Sequence, residues 1–120
     1  MTTFDTTVQR YLDVWNTTDP AERLSRITEV FTPDVRYVDP LAAVEGHEAL
    51  NQLIGAAQGQ FPGMVFTPGG PSDAHHDQAR FTWQLGPAGG EALVIGFDVA
   101  ELGSDGRIRT VLGFLDRVPS

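Results

Sequence analysis

Apolar residues recur at helical spacing from the start of the chain. Phe4, Val8, Tyr11, Leu12 and Trp15 fall on one face of a 3.6-residue repeat, which predicts a first amphipathic helix with Tyr11 turned inward. Asp19-Pro20-Ala21-Glu22 has the order of an N-cap, a proline at the first helical position and a capping-box glutamate. It predicts a second helix with Leu24, Ile27 and Phe31 on its apolar face and Pro33 following its end. The short β-branched and aromatic run from Val35 to Asp39 reads as a strand with Val35, Tyr37 and Asp39 on one side of the pleat. Gly46 then opens a third helix, with Leu50, Leu53, Ile54 and Ala57 as its buried stripe, and Phe61-Pro62-Gly63 turns the chain out of it.

The period changes to two in the second half. Ala79, Phe81, Trp83 and Leu85 alternate with Arg80, Thr82 and Gln84 over 78–85. A second strand runs over about 92–102, and Ser104-Asp105-Gly106 signals a hairpin into a last strand over about 107–116. Helices followed by a meander predict an α+β domain, with three N-terminal helices packed on one face of a curved, mainly antiparallel sheet. Within 92–102 the odd positions Leu93, Ile95, Phe97 and Val99 are bulky, whereas Val94, Gly96, Asp98 and Ala100 leave room on the other face. Three helices cover one sheet face only, so a second subunit is the expected cover of the bulky face, giving a homodimer.

Composition narrows the class of protein. The 120 residues suit a single domain over 1–120, and 41% hydrophobic with 20% charged residues is an ordinary globular balance. Eight basic against sixteen acidic residues leave a net charge of -8, the wrong sign for nucleic acid or an anionic membrane surface. No cysteine is present, so disulfides, thiol nucleophiles and thiolate metal sites are excluded. Met-Thr-Thr-Phe-Asp lacks the basic and apolar regions of a secretory signal and no apolar run approaches spanning length, so a cytoplasmic protein is expected.

Two carboxylates then stand out. Asp39 closes an apolar strand before Pro40, and Asp98 interrupts the apolar strand around it. A carboxylate in such a setting must be paired, hydrogen-bonded or protonated. Plainer readings remain beside the functional ones. Asp-Pro is a turn-forming pair, Asp98 has Arg80 and Arg109 within reach on neighbouring strands, and Tyr11 fits a core aromatic with a satisfied hydroxyl. His75-His76-Asp77 reads as a solvated loop, because neighbouring strand residues point to opposite faces and no third ligand is spaced for a metal. His47 falls in the first turn of the third helix and is not taken as a catalyst.

The order of elements and three local strings resemble the nuclear transport factor 2-like superfamily, which includes SnoaL-like polyketide cyclases and ketosteroid isomerase. The strings are Val8-Gln9-Arg10-Tyr11, Tyr37-Val38-Asp39-Pro40, and Phe97-Asp98-Val99 ahead of Gly106-Arg107-Ile108. The resemblance covers nearly the whole chain and implies a cone-shaped α+β barrel. Ketosteroid isomerase is the nearest functional pattern: Asp39 matches its general base, and Tyr11 and Asp98 match its two oxyanion donors. In such a cone the inward faces also line the cavity, so Trp83, Trp15, Phe61, Phe81 and Leu53 become candidate substrate-binding walls as well as core residues.

The expectation is therefore cofactor-independent acid and base chemistry, of isomerase, cyclase or dehydratase type, on a small apolar carbonyl-bearing molecule. Asp39 would act as base, while Asp98 stays protonated and donates with Tyr11. A non-catalytic ligand-binding protein of the same fold and a structural dimer with a plugged cavity remain open beside it.

Overall fold

The structure is a computed structural model that describes residues 3–119; Met1, Thr2 and Ser120 lie outside the described residues. Three helices, α1 (Thr3–Asn16), α2 (Pro20–Val30) and α3 (His47–Gln60), accompany strands β1 (Phe31–Val38), β2 (Ala43–Glu45), β3 (Met64–Pro68), β4 (Asp73–His75), β5 (Gln78–Pro87), β6 (Val94–Leu102) and β7 (Ile108–Arg117). The strands form one open sheet in the order β2-β1-β7-β6-β5-β3, with β4 also paired to β5. All pairings are antiparallel except β1 with β7, which is parallel. The result is the expected cone-shaped α+β fold, although the sheet does not close into a barrel and the helices complete the enclosure.

The helical pattern is realised on α1, where Phe4, Val8, Tyr11, Leu12 and Trp15 are all buried, joined by Val14. Asp19 caps α2 by accepting from the Glu22 amide at 2.8 Å, with Pro20 at the first turn. Phe31, expected on α2, instead opens β1, and Pro33 lies inside that strand. The β1–β7 register is irregular between Phe31 and Arg36, and a proline without an N–H is tolerated there because no regular ladder bond is lost.

Three short strands were not expected: β2, β3 and β4 are three to five residues each, too short for an alternation to register. The long meander follows the expected pattern. Ala79, Phe81, Trp83 and Leu85 are buried on β5, and Val94, Gly96, Asp98 and Ala100 on β6. On the opposite face Phe97 stacks on Phe114 of β7 at 4.9 Å, and Leu112 and Phe114 remain exposed.

The three helices are tied together by Arg23, a cation only 3% exposed that the apolar pattern does not reveal. It donates to Asn51 Oδ1, Gln58 Oε1 and the Thr17 carbonyl, while Gln58 donates in turn to the Trp15 and Thr17 carbonyls. Every partner is an oxygen acceptor fixed on α3 or the α1–α2 connection, which satisfies the guanidinium without a carboxylate. Among the described residues no helix is long and apolar enough to cross a membrane.

Candidate functional site

The alternation of β6 turns Asp98 inward, where it is 2% exposed. Tyr11 reaches it from α1 and donates a hydrogen bond of 2.6 Å to Oδ2. Neither arginine considered from the sequence is its partner. Arg80 pairs with Asp73 at 3.4 Å and Arg109 with Glu101 at 2.9 Å, because both arginines leave their strands on the outer face. Burial pushes the Asp98 carboxyl up from 3.8 to about 6; contacts from Tyr11 and Trp83 oppose the rise, and the charge of Asp39 adds to it. Burial, which favours the acid, is thus partly offset by donors that favour the anion.

Trp83 comes close to Asp98 because Gly96, on the same face of β6, has no side chain. A Cβ at Gly96 would lie 2.5 Å from Cζ2 of the indole and 2.6 Å from the Phe114 carbonyl oxygen. The indole occupies the space that a side chain at Gly96 would fill.

Asp39 follows β1 and is held by three donors. Its Oδ1 accepts from the amides of Leu41 at 2.8 Å and Ala42 at 2.9 Å, and its Oδ2 accepts from the Tyr37 hydroxyl at 2.7 Å. The turn role and the pocket role coexist on one carboxylate, since one oxygen organises the β1–β2 turn and the other meets Tyr37. Tyr37 was placed on the correct side of the strand by its alternation but was not singled out. Burial raises its phenol well above the ordinary range, and the charges of Asp98 and Asp39 raise it further. The Tyr11 phenol is raised for the same leading reason, burial, followed by Asp98.

The two Asp–Tyr pairs meet at Gly113 of β7, which pairs with Asp98 across the ladder. A Cβ there would sit 2.8 Å from Asp98 Oδ1 and 3.2 Å from Asp39 Cβ. A glycine isolated in a strand is a signal of such close approach, and it was present in Leu112-Gly113-Phe114.

Both carboxylates line a single cavity of about 530 Å³ whose surface is otherwise largely apolar. Trp15, Trp83, Phe61 and Leu53 are walls, as expected, and Tyr11 and Tyr37 line it too. Phe81 does not line it. It pairs with Asp98 across β5 and β6 but packs edge-on against Tyr11 at 5.2 Å and is sealed from the cavity as core. Phe66 was missed because β3 was not assigned, and Leu41 and Val118 at the rim lie in segments without periodicity. An open cavity with no arginine on Asp98 does not match the plugged alternative.

The histidines stand apart. His47 Nε2 lies 3.0 Å from the Phe31 carbonyl and serves the helix–strand junction. His75 ends β4 and His76 forms the turn into β5 with φ 53°, both exposed. Among the described residues no three side chains form a group suited to a metal.

Comparison of the chain with known proteins gives its family. Residues 8–111 match the family model of the SnoaL-like domain. The chain belongs to the SnoaL-like family. Among solved structures, a SnoaL-like protein from Agrobacterium tumefaciens, provisionally named an isomerase, is 39% identical over 92% of this chain and 95% of its own, with a TM-score of 0.88. A provisionally named SnoaL-like polyketide cyclase from Jannaschia sp. CCS1 is 19% identical over 92% and 85% of the two chains, with a TM-score of 0.70, a likeness of fold. No curated protein matches the chain. Membership of the SnoaL-like family supports a general catalytic or ligand-binding role.

Proposed function

We propose that this SnoaL-like protein is a cofactor-independent acid–base enzyme, of isomerase, cyclase or dehydratase type, that moves a proton next to the carbonyl of a small, largely apolar molecule. The observation that carries the proposal is Asp98, a buried carboxylate on the wall of an open apolar cavity whose proton affinity lies near neutrality. A proton-transfer group works best when its pKa is close to the working pH, so Asp98 takes the role of base. Asp39, whose oxygens already accept three hydrogen bonds, becomes the fixed charge that adds to the effect of burial on Asp98. The two roles that the sequence reading gave to the carboxylates are thereby exchanged. Tyr11 orients Asp98 and is freed to donate once the carboxyl has taken its proton. The isomerase name of the Agrobacterium relative is in keeping with this chemistry.

The test needs an enolisable probe of suitable size. In deuterium oxide with 2-tetralone, the protein should speed deuterium incorporation at the carbon next to the carbonyl, read by NMR, and Asp98→Asn should abolish the gain. Incorporation no faster than in buffer, or unchanged in Asp98→Asn, would overturn the assignment.

We also propose that the chain forms a homodimer through the outer sheet face. The stacked Phe97 and Phe114, with Leu112 beside them, make an apolar surface that no helix covers. Sedimentation should give twice the chain mass, and Phe114→Lys should halve it. A monomeric native chain would sink this idea.

A further inference from the structure

Charge in the cavity is one-sided. Its charged lining residues are Asp39 and Asp98, and no lysine, arginine or histidine lines it among the described residues. The electrostatic problem persists through the reaction, because proton transfer to Asp98 moves its negative charge onto the substrate oxygen and leaves Asp39 as it was. In the resting site Tyr11 and Tyr37 donate their hydroxyl protons to the carboxylates, and the donor that Asp98 frees on taking a proton is neutral, so it supplies no counter-charge. Two negative charges beside each other in an apolar setting are costly without a counter-charge.

The walls suit such a counter-charge. Trp15, Tyr37, Phe66 and Trp83 form a connected aromatic surface, with Trp15 against Tyr37 at 5.6 Å, Trp15 against Phe66 at 5.3 Å and Phe66 against Trp83 at 5.5 Å. All four line the cavity with the carboxylates. Aromatic faces attract organic cations through their quadrupoles and also accept an apolar body. A metal ion would find only two carboxylates, each already receiving hydrogen bonds, among surfaces that cannot replace its water.

We propose that the cavity selects an organic monocation: an apolar ligand carrying a protonated amine, its ammonium beside Asp39 and Asp98 and its body against the indoles. The proposal rests on the same cavity as the proposed function and adds the charge of the ligand. A net charge of -8 on the whole chain favours the approach of such a ligand as well.

Three probes of one shape separate charge from size: 2-(aminomethyl)naphthalene, protonated at pH 7.5, neutral 2-naphthalenemethanol, and anionic 2-naphthoate. Calorimetric titration of the full chain should give the amine an affinity at least about tenfold above that of the alcohol, with naphthoate weakest. The ratio of amine to alcohol affinity, read within each variant, should fall toward one in the double variant Asp39→Asn/Asp98→Asn. An alcohol bound as tightly as the amine in the native chain, or a ratio that survives in the double variant, overturns the proposal. If the charge preference is missing while 2-tetralone exchange persists, only this proposal falls. If no probe binds and no exchange occurs, the proposed function falls with it.

Discussion

The Tyr11 hydroxyl donates a 2.6 Å hydrogen bond to Asp98 Oδ2 across 87 positions of sequence, joining the first helix to the sixth strand inside the cavity. Its first consequence concerns acidity. The contact favours the carboxylate against burial, so Tyr11→Phe should move the Asp98 midpoint upward from about 6. The carboxyl carbon shift of Asp98, followed by NMR through a pH series, reports this directly. A midpoint that stays or falls would show that the bond does not act on the ionised form.

Stability should depend on pH in the opposite sense to a salt-bridged aspartate. The folded-state value for Asp98 lies above the ordinary 3.8, so the native chain holds the proton more tightly than the unfolded chain between about 4 and 6. Stability attributable to this group therefore falls as pH rises through that window and levels off above it. The loss is on the order of 3 kcal/mol, from 1.36 kcal/mol per pH unit. Asp98→Asn removes the titration, and at pH 7 it should be the more stable protein by chemical denaturation, with the difference vanishing below about pH 3.

Two glycines should respond with opposite signs. Gly113→Ala drives a methyl group between Asp98 and Asp39 and should cost about 1–3 kcal/mol while removing 2-tetralone exchange. Gly59→Ala sits on α3 with open space around the added carbon, and should stabilise by about 0.5–1 kcal/mol and leave exchange unchanged. Thermal unfolding and the exchange assay, run on both, decide the pair.

Asn16 does the work of a strand at the edge of β3. Its amide donates to the Phe66 carbonyl at 2.8 Å and accepts from the Phe66 amide at 2.7 Å. Asn16→Ala should cost about 1–2 kcal/mol and loosen the Phe66 wall, seen as faster hydrogen exchange at the Phe66 amide.

The elements legible in the sequence were those long enough to repeat. Five positions of α1 and four each of β5 and β6 carried their faces openly, and with them the inward placement of Tyr11, Trp83 and Asp98. The short strands showed no period, and Phe66 was lost with β3. Arg23 was illegible for another reason: a buried cation satisfied by amide and carbonyl oxygens leaves no apolar trace. Asp39 was found as a candidate, but its hydrogen bonds from Leu41, Ala42 and Tyr37 were not legible, because they depend on the shape of a turn.

The parallel pairing of β1 with β7 has a kinetic side. Val38 pairs with Leu112, so the strands that carry Asp39 and Gly113 to one another meet only after the intervening chain has been closed into a loop. Loop closure of that span carries a large entropic cost, and contacts of such separation slow folding. The two carboxylates are brought together by the longest-range pairing in the sheet. A nascent or partly unfolded chain therefore has no cavity, and the charge repulsion between Asp39 and Asp98 arises only once the rest of the fold can hold it.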